Sequence, residues 1–391
     1  MTTTVPSDPA EARTTQAGVR HQAGYSFGPA VVDVDTDTDG DSRWLAEFLT
    51  PWAAATAFGS GDVRVHLNRS DPVFDALDRR SGTANARLIP CFALDSRLVT
   101  LPGWDDGGGT VLADEELGCF YQVHGRSVHI VARQGERRAR LGLMRVVREA
   151  LAARRLARGR LLDLHAAAIQ VGQRAVLIAG PKHVGKTTLL CHALASGGAR
   201  LLANDRVFVD VDQTPGVVYG VPTLVSVRPA TLELFPDLRR GPAERPVLLH
   251  AGEHEETSDV AAHGRDFSLS PAQLARRLDS TCVPSAPLGA IVFPEISSDA
   301  DTWIVDALGA AEGLALLGAC VYGGHREGQS RTILDELGGL GPPRADTEAM
   351  AGRVADEVRF LRCRLGPHAY DRGADAWLRA LGLEAAGERT R

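Results

Sequence analysis

Gly180-Pro181-Lys182-His183-Val184-Gly185-Lys186-Thr187 reads G-x-x-x-x-G-K-[ST], the pattern of a phosphate-binding loop. Ala175-Val176-Leu177-Ile178-Ala179 precedes it, a short apolar run that predicts a buried strand. Thr188 to Ala195 follows with apolar residues at helical spacing, and Gly197-Gly198 stops that helix. The loop therefore sits between a strand and a helix, the context that separates such a loop from a chance match. Glycines let successive backbone N–H groups point inward at an anion, and the helix N-terminus adds partial positive charge. Lys186 can reach the β- and γ-phosphates, Thr187 can offer its hydroxyl to Mg²⁺, and Lys182 can add a second cation. His183 and Val184 fill x positions that tolerate most residues, and the phosphate cradle is expected to run from Gly180 through Thr188.

Outward from this stretch, three elements follow in order. Leu164 to Val171 reads as a strand carrying His165, and Gly172 turns it into the strand before the loop. Ala199 to Ala203 is a further strand that ends at Asn204-Asp205-Arg206, and Val207 to Val211 continues as another. An acid at such a strand end holds Mg²⁺ in phosphate-loop proteins. The plain alternative for Asp205 is a turn cap, and its place at a strand's C-terminal end favours the metal.

The chain has 391 residues, 44% of them apolar, enough for two domains or one large decorated one. A net charge of −6 gives no reason to expect nucleic-acid binding. Six scattered cysteines without a C-x-x-C pair suggest neither a zinc cluster nor a disulfide framework, and fit a reducing cytoplasm. No long apolar run predicts a membrane span, and the Thr- and Ala-rich start lacks the apolar core of a signal peptide.

Residues 1–24 are expected to be a mobile tail and 25–135 a β-rich N-terminal domain, with strands at 31–34, 63–67 and a hairpin over 119–132. Pro51 to Phe58 fits a helix or a turn. Asp35, Asp37, Asp39 and Gly40 imitate the start of a calcium loop, but Ala46 stands where the bidentate Glu is needed, so a solvated acidic turn is expected. Residues 136–160 predict an arginine-rich amphipathic linking helix with a solvated charged face. Residues 161–385 hold the loop-bearing domain. Within it, 240–265, with His250, His254 and His263, reads as a polar surface loop or lid. Ser270-Pro271 opens a short helix, 290–293 is a buried strand, 306–318 a helix, 358–365 an edge or one-sided strand and 374–383 a closing helix.

The order Leu164-His165-Ala166-Ala167, then the loop, then Leu201 to Val207 resembles the HPr kinase/phosphorylase family. It is most similar to the HPr-kinase-like proteins of bacterial peptide-modification clusters. The resemblance is specific over 161–211 and fainter over 270–383. It implies an α/β fold with a phosphate-loop core of the HPr kinase/phosphoenolpyruvate carboxykinase type, and ATP and Mg²⁺ as cofactors. Lys186 and Thr187 then carry over as phosphate and metal contacts, Asp205 as the metal-associated aspartate, and His165 as the histidine beside the catalytic carboxylate. Asn204 matches the family's proton-accepting aspartate, and an amide cannot accept a proton at neutral pH. His165 could act as base instead, or Asp205 could do both jobs. The expectation is a kinase acting on a hydroxyl of a peptide, protein or small molecule in a specialised biosynthetic pathway, forming a small homo-oligomer. The alternatives are a nucleotide-binding scaffold that has lost catalysis, favoured by Asn204, and a transferase or ligase that uses ATP differently.

Overall fold

The computed structural model of the chain describes residues 20–92, 98–239, 267–322, 346–371 and 377–379. It is a mixed α/β structure with several sheets. Nine strands make the first sheet: β1 (His21–Phe27), β2 (Ala30–Thr36), β3 (Ala54–Thr56), β4 (Val63–Arg69), β5 (Arg87–Phe92), β6 (Leu98–Asp106), β7 (Gly109–Asp114), β8 (Cys119–His124) and β9 (Ser127–Ala132). Their order is β3-β1-β2-β4-β9-β8-β7-β6-β5. The hairpin over 119–132 forms as β8 and β9, with His124 opposite Ser127 and Gly125 in the left-handed region of its turn.

Three expectations for this region need correction. His21–Gly24 belong to β1, so the expected tail does not reach residue 24. The region also carries two helices, α1 (Asp39–Leu49) and α2 (Asp71–Ser81). The acidic stretch is not a solvated turn throughout. Thr38 caps α1 by accepting the Asp41 N–H, which places Asp39 and Asp41 where the helix dipole favours negative charge. Asp41 is buried and is gripped by Arg69 through two bonds of 2.7 and 3.0 Å. Pro51 to Phe58 is a turn that leads into β3, not a helix.

The arginine-rich segment forms α3 (Ala139–Ala157), but it is no solvated linker. Leu143, Met144, Val146, Val147 and Ala150 are fully buried between the first sheet and Phe208, Val221 and Leu224. Each large apolar side chain so buried contributes about 1.5–3 kcal/mol. Charged groups on a helix enclosed this way need partners. Arg145 meets Asp114 at 3.2 Å and Arg148 meets Glu149 at 2.6 Å. These arginines are occupied by the chain's own carboxylates.

The second sheet has eight strands: β10 (Leu161–Val171), β11 (Arg174–Ala179), β12 (Ala199–Ala203), β13 (Arg206–Asp210), β14 (Val217–Val221), β17 (Ser285–Ile296), β18 (Trp303–Ala307) and β19 (Arg359–Leu365). A separate two-stranded ribbon is β15 (Val225–Val227) with β16 (Phe267–Leu269). Two long strands serve two neighbourhoods each. The first half of β10 pairs with β13 and its second half with β11 and β12. The start of β17 pairs with β14, and its later residues pair with β11 and β19. The pairings close a circuit through β10, β11, β17, β14 and β13.

One side of this sheet packs α4 (Lys186–Ala195), α5 (Pro229–Leu234) and α6 (Pro271–Arg277) through Leu189, Leu190, Leu232 and Leu274. The other side packs α7 (Ala310–Gly318) and α8 (Thr347–Glu357) through Leu317, Met350 and Val354. Ser270 caps α6, as its sequence predicts, and Gln273 completes a capping box with it. Strand β19 is not an edge, because it lies between β17 and β18. Its alternating arginines are matched by acids: Arg364 meets Asp306 at 2.8 Å and Arg362 meets Glu295 at 3.5 Å. The helix expected over 306–318 divides into the end of β18 and α7. The loop with His250, His254 and His263 lies outside the described residues, as does most of 374–383. Among the described residues no helix is long and apolar enough to cross a membrane.

Candidate functional site

Register brings the site together. Strands β10 and β11 are antiparallel with Ala166 opposite Ala179, and β10 and β12 are antiparallel with Ala168 opposite Ala203. So β11 and β12 run the same way on either side of β10 and end at one edge. Gly180 leaves β11 there, and Asn204-Asp205 leave β12 there. His165 on β10, opposite Arg206, stands beside both. The run Ala166-Ala167-Ala168 is fully buried, which lets layers close in on both faces of β10.

The Gly180–Thr187 loop is wound tightly. Gly180 (φ 148°), His183 (φ 75°) and Gly185 (φ 93°) all take positive φ, which glycine adopts without the steric cost a side chain brings. A Cβ at Gly180 would also press on Val184 at 3.2 Å. Gly185 is the N-cap of α4, so the helix N-terminus opens directly from the loop. Lys186 Nζ donates to the carbonyls of Gly180 and Pro181, 2.8 Å each, and this holds the ammonium over the loop. Burial lowers the Lys186 pKa, opposed in part by the charge of Asp205. Thr187 is partly exposed, whereas Thr188 turns its hydroxyl to Thr231 on α5 at 2.9 Å. Pro181, Lys182 and His183 are exposed, and Arg228 approaches His183 Nε2 at 3.5 Å.

Asp205 is the carboxylate of the site. His165 Nε2 lies 2.9 Å from its Oδ1, and the Tyr322 hydroxyl lies 3.5 Å from its Oδ2. Burial alone would raise the Asp205 pKa, but the His165 hydrogen bond and charge, with Lys186 and Lys182, outweigh it and hold the carboxyl below its ordinary value. An ionised Asp205 only accepts, so His165 must carry a proton on Nε2 to donate here. The imidazole thus orients the carboxylate.

Asn204 does not join this pair. It is buried, its Nδ2 donates to the Leu224 carbonyl at 3.1 Å, and its Oδ1 accepts from the Thr223 hydroxyl at 2.8 Å. Successive residues at a strand end face opposite ways, so Asp205 turns toward the loop and Asn204 away from it.

Sequence reading missed the support around Asp205. Arg206 forms a fork on Asp163, at 3.0 and 2.8 Å, and reaches Glu149 on α3 at 3.3 Å. Its guanidinium also lies 5.1 Å from the centre of the Tyr322 ring. Tyr322 is anchored by its N–H to the Asp163 carbonyl at 2.9 Å, and His165 N–H donates to the Cys320 carbonyl at 2.8 Å. The adjacency of Arg206 to Asp205 was a usable signal, but nothing in sequence places Tyr322 there.

A separate cleft of about 270 Å³ lies in the first sheet between β6, β7 and α3, with the buried Arg145–Asp114 pair at its floor. No protein-family model matches the chain, and no curated protein matches it.

Proposed function

We propose that this chain is an ATP- and Mg²⁺-dependent phosphotransferase of the HPr-kinase-like type, built on a phosphate-loop core. It acts on a hydroxyl of a peptide, protein or small molecule. The observation that carries this reading is the meeting, at one sheet edge, of the Gly180–Thr187 loop with a carboxylate oriented by His165.

The residues present fit the nucleotide and its metal. Positive φ at Gly180, His183 and Gly185 curls the backbone as an anion cradle requires. Lys186 supplies a buried cation, and Thr187 and Asp205 supply a hydroxyl and a carboxylate oxygen for Mg²⁺. Mg²⁺ commonly takes one or two carboxylates and fills its other positions with phosphate and water. Bound there, it would neutralise charge developing on the phosphates.

The chain's own residues then have distinct tasks. The loop N–H groups and Lys186 hold and orient the phosphates. Asp205, kept ionised and aimed by His165, is the group available to take the acceptor's proton. Asn204 serves the fold, so Asp205 has both the metal and the proton to manage. A loose transition state makes this workable, since positioning and charge neutralisation carry most of the catalysis. The six cysteines are unpaired, in keeping with a reducing cytoplasm where ATP is plentiful.

The second reading is a nucleotide-binding scaffold without transfer. It is favoured by the commitment of Asn204 to Thr223 and Leu224, which leaves the site one carboxylate. The test is thermal melting with Mg²⁺-ATP beside transfer of labelled γ-phosphate to candidate acceptors. A melting shift that Lys186→Ala abolishes, together with acceptor label, supports the kinase. The shift without label on acceptor supports the scaffold, and no shift removes both.

A further inference from the structure

The site holds a hydroxyl of its own. Tyr322 Oη stands 3.5 Å from Asp205 Oδ2, and the ring centre of Tyr322 is 5.7 Å from that of His165. The residue is fixed in place. Its N–H bonds to the Asp163 carbonyl, Val321 before it bridges to Leu164, and Arg206 lies over its ring. Ring packing and the cation over its face would serve equally well with phenylalanine. At 3.5 Å the hydroxyl's bond to Asp205 is at the outer limit for a hydrogen bond and contributes little to holding the fold. What the hydroxyl adds is a nucleophile beside the group that accepts an acceptor's proton. Tyr322 is also 36% exposed, so a phosphate has room to reach it.

We propose that Tyr322 is an internal phosphoryl acceptor, so that the chain phosphorylates its own tyrosine; this rests on the phosphotransferase reading above. In the step, Tyr322 Oη bonds to the γ-phosphorus of ATP. The bond from that phosphorus to the β,γ-bridging oxygen breaks, and ADP leaves with the electron pair. The phenolic proton passes to Asp205 Oδ2. No oxidant, reductant or further reactant is needed. The product is a phosphotyrosine beside Asp205, whose charge opposes it.

The experiment uses the full chain with Mg²⁺-ATP. Peptide mapping by mass spectrometry reads the phosphate, and thermal melting reads nucleotide binding independently. The expected result is phosphate on the peptide carrying Tyr322, lost in Tyr322→Phe and in Lys186→Ala. Tyr322→Phe, which keeps the ring over Arg206, should still show the wild-type melting shift with nucleotide. Phosphate absent from Tyr322 while nucleotide raises the melting temperature overturns the proposal and leaves the nucleotide reading standing. Phosphate retained in Tyr322→Phe overturns it too, as does loss of the nucleotide shift in that variant. Neither shift nor phosphate in the wild type removes both readings together.

Discussion

Thr223 donates its hydroxyl to Asn204 Oδ1 at 2.8 Å, and this bond commits the side chain before Asp205 to the fold. The Leu224 carbonyl completes the arrangement by accepting from Asn204 Nδ2. An amide satisfies both neighbours because it offers one acceptor and one donor in the right places.

Asn204→Asp therefore should not improve transfer. A carboxylate there would set an oxygen against the Leu224 carbonyl, lose a buried hydrogen bond and bury a charge. The expected cost is about 1–3 kcal/mol of stability, read by urea unfolding, with γ-phosphate transfer unchanged or lower. A clear rise in transfer would show that residue 204 reaches the reacting groups.

Asp205→Asn should behave differently. Asp205 is partly exposed, and in the proposed mechanism it carries charge and accepts a proton. Transfer should fall by about 10²–10⁴-fold, while the far-ultraviolet circular dichroism stays that of the wild type. Transfer surviving this change would remove Asp205 from the mechanism.

Glu149 predicts a response to acid. Burial alone would raise its pKa, but Arg148 and Arg206 hold it down to about 2, against an ordinary 4.5. A depressed folded-state pKa stabilises the protein above the ordinary value. That stabilisation is lost as pH falls from 4.5 toward about 2. Glu149→Gln should flatten the melting temperature across that window. At neutral pH the same variant should lose about 3–5 kcal/mol, because Arg148 and Arg206 are left short of a buried partner. A wild-type acid profile in Glu149→Gln would show that another group governs the window.

Gly220 tests how closely the two sheets meet. A Cβ there would run into the Leu202 carbonyl and the Trp52 indole. Gly220→Ala should cost about 1–3 kcal/mol, measured by denaturant midpoint. A neutral result would mean that the Leu202 strand and Trp52 both shift to make room.

The loop and its flanking strand and helix were legible because each is local, whereas the contact of His165 with Asp205 joins residues forty apart and was not read from the sequence. Apolar runs, glycines and short spacings define the local elements, and register does the rest. The first sheet was less legible. Its helices α1 and α2 are short and open on aspartates that read as polar turns, and their caps, Thr38 and Ser70, look like ordinary loop residues. The burial of α3 was hidden for another reason. Its arginines read as a solvated face because their partners, Asp114, Asp41 and Asp62, lie far away in sequence. Asn204 was misplaced by alignment to a motif, since only a strand's alternation and the later Thr223 decide which way it points. Tyr322 depends on a crossing of distant backbone that no local pattern records.

Trp52, in the turn between α1 and β3, donates its indole N–H to the Leu202 carbonyl at 2.7 Å, two residues before Asn204. It makes the leading part of the chain a wall behind the edge that carries the loop and Asp205. Such a chain cannot be treated as interchangeable modules. A chimera that kept the loop-bearing half but took its leading sheet from another protein would have to bring an indole, or an equal donor, to the same carbonyl. Without it, Leu202 would be left with a buried oxygen unsatisfied, and the strand that delivers Asp205 would lose its backing.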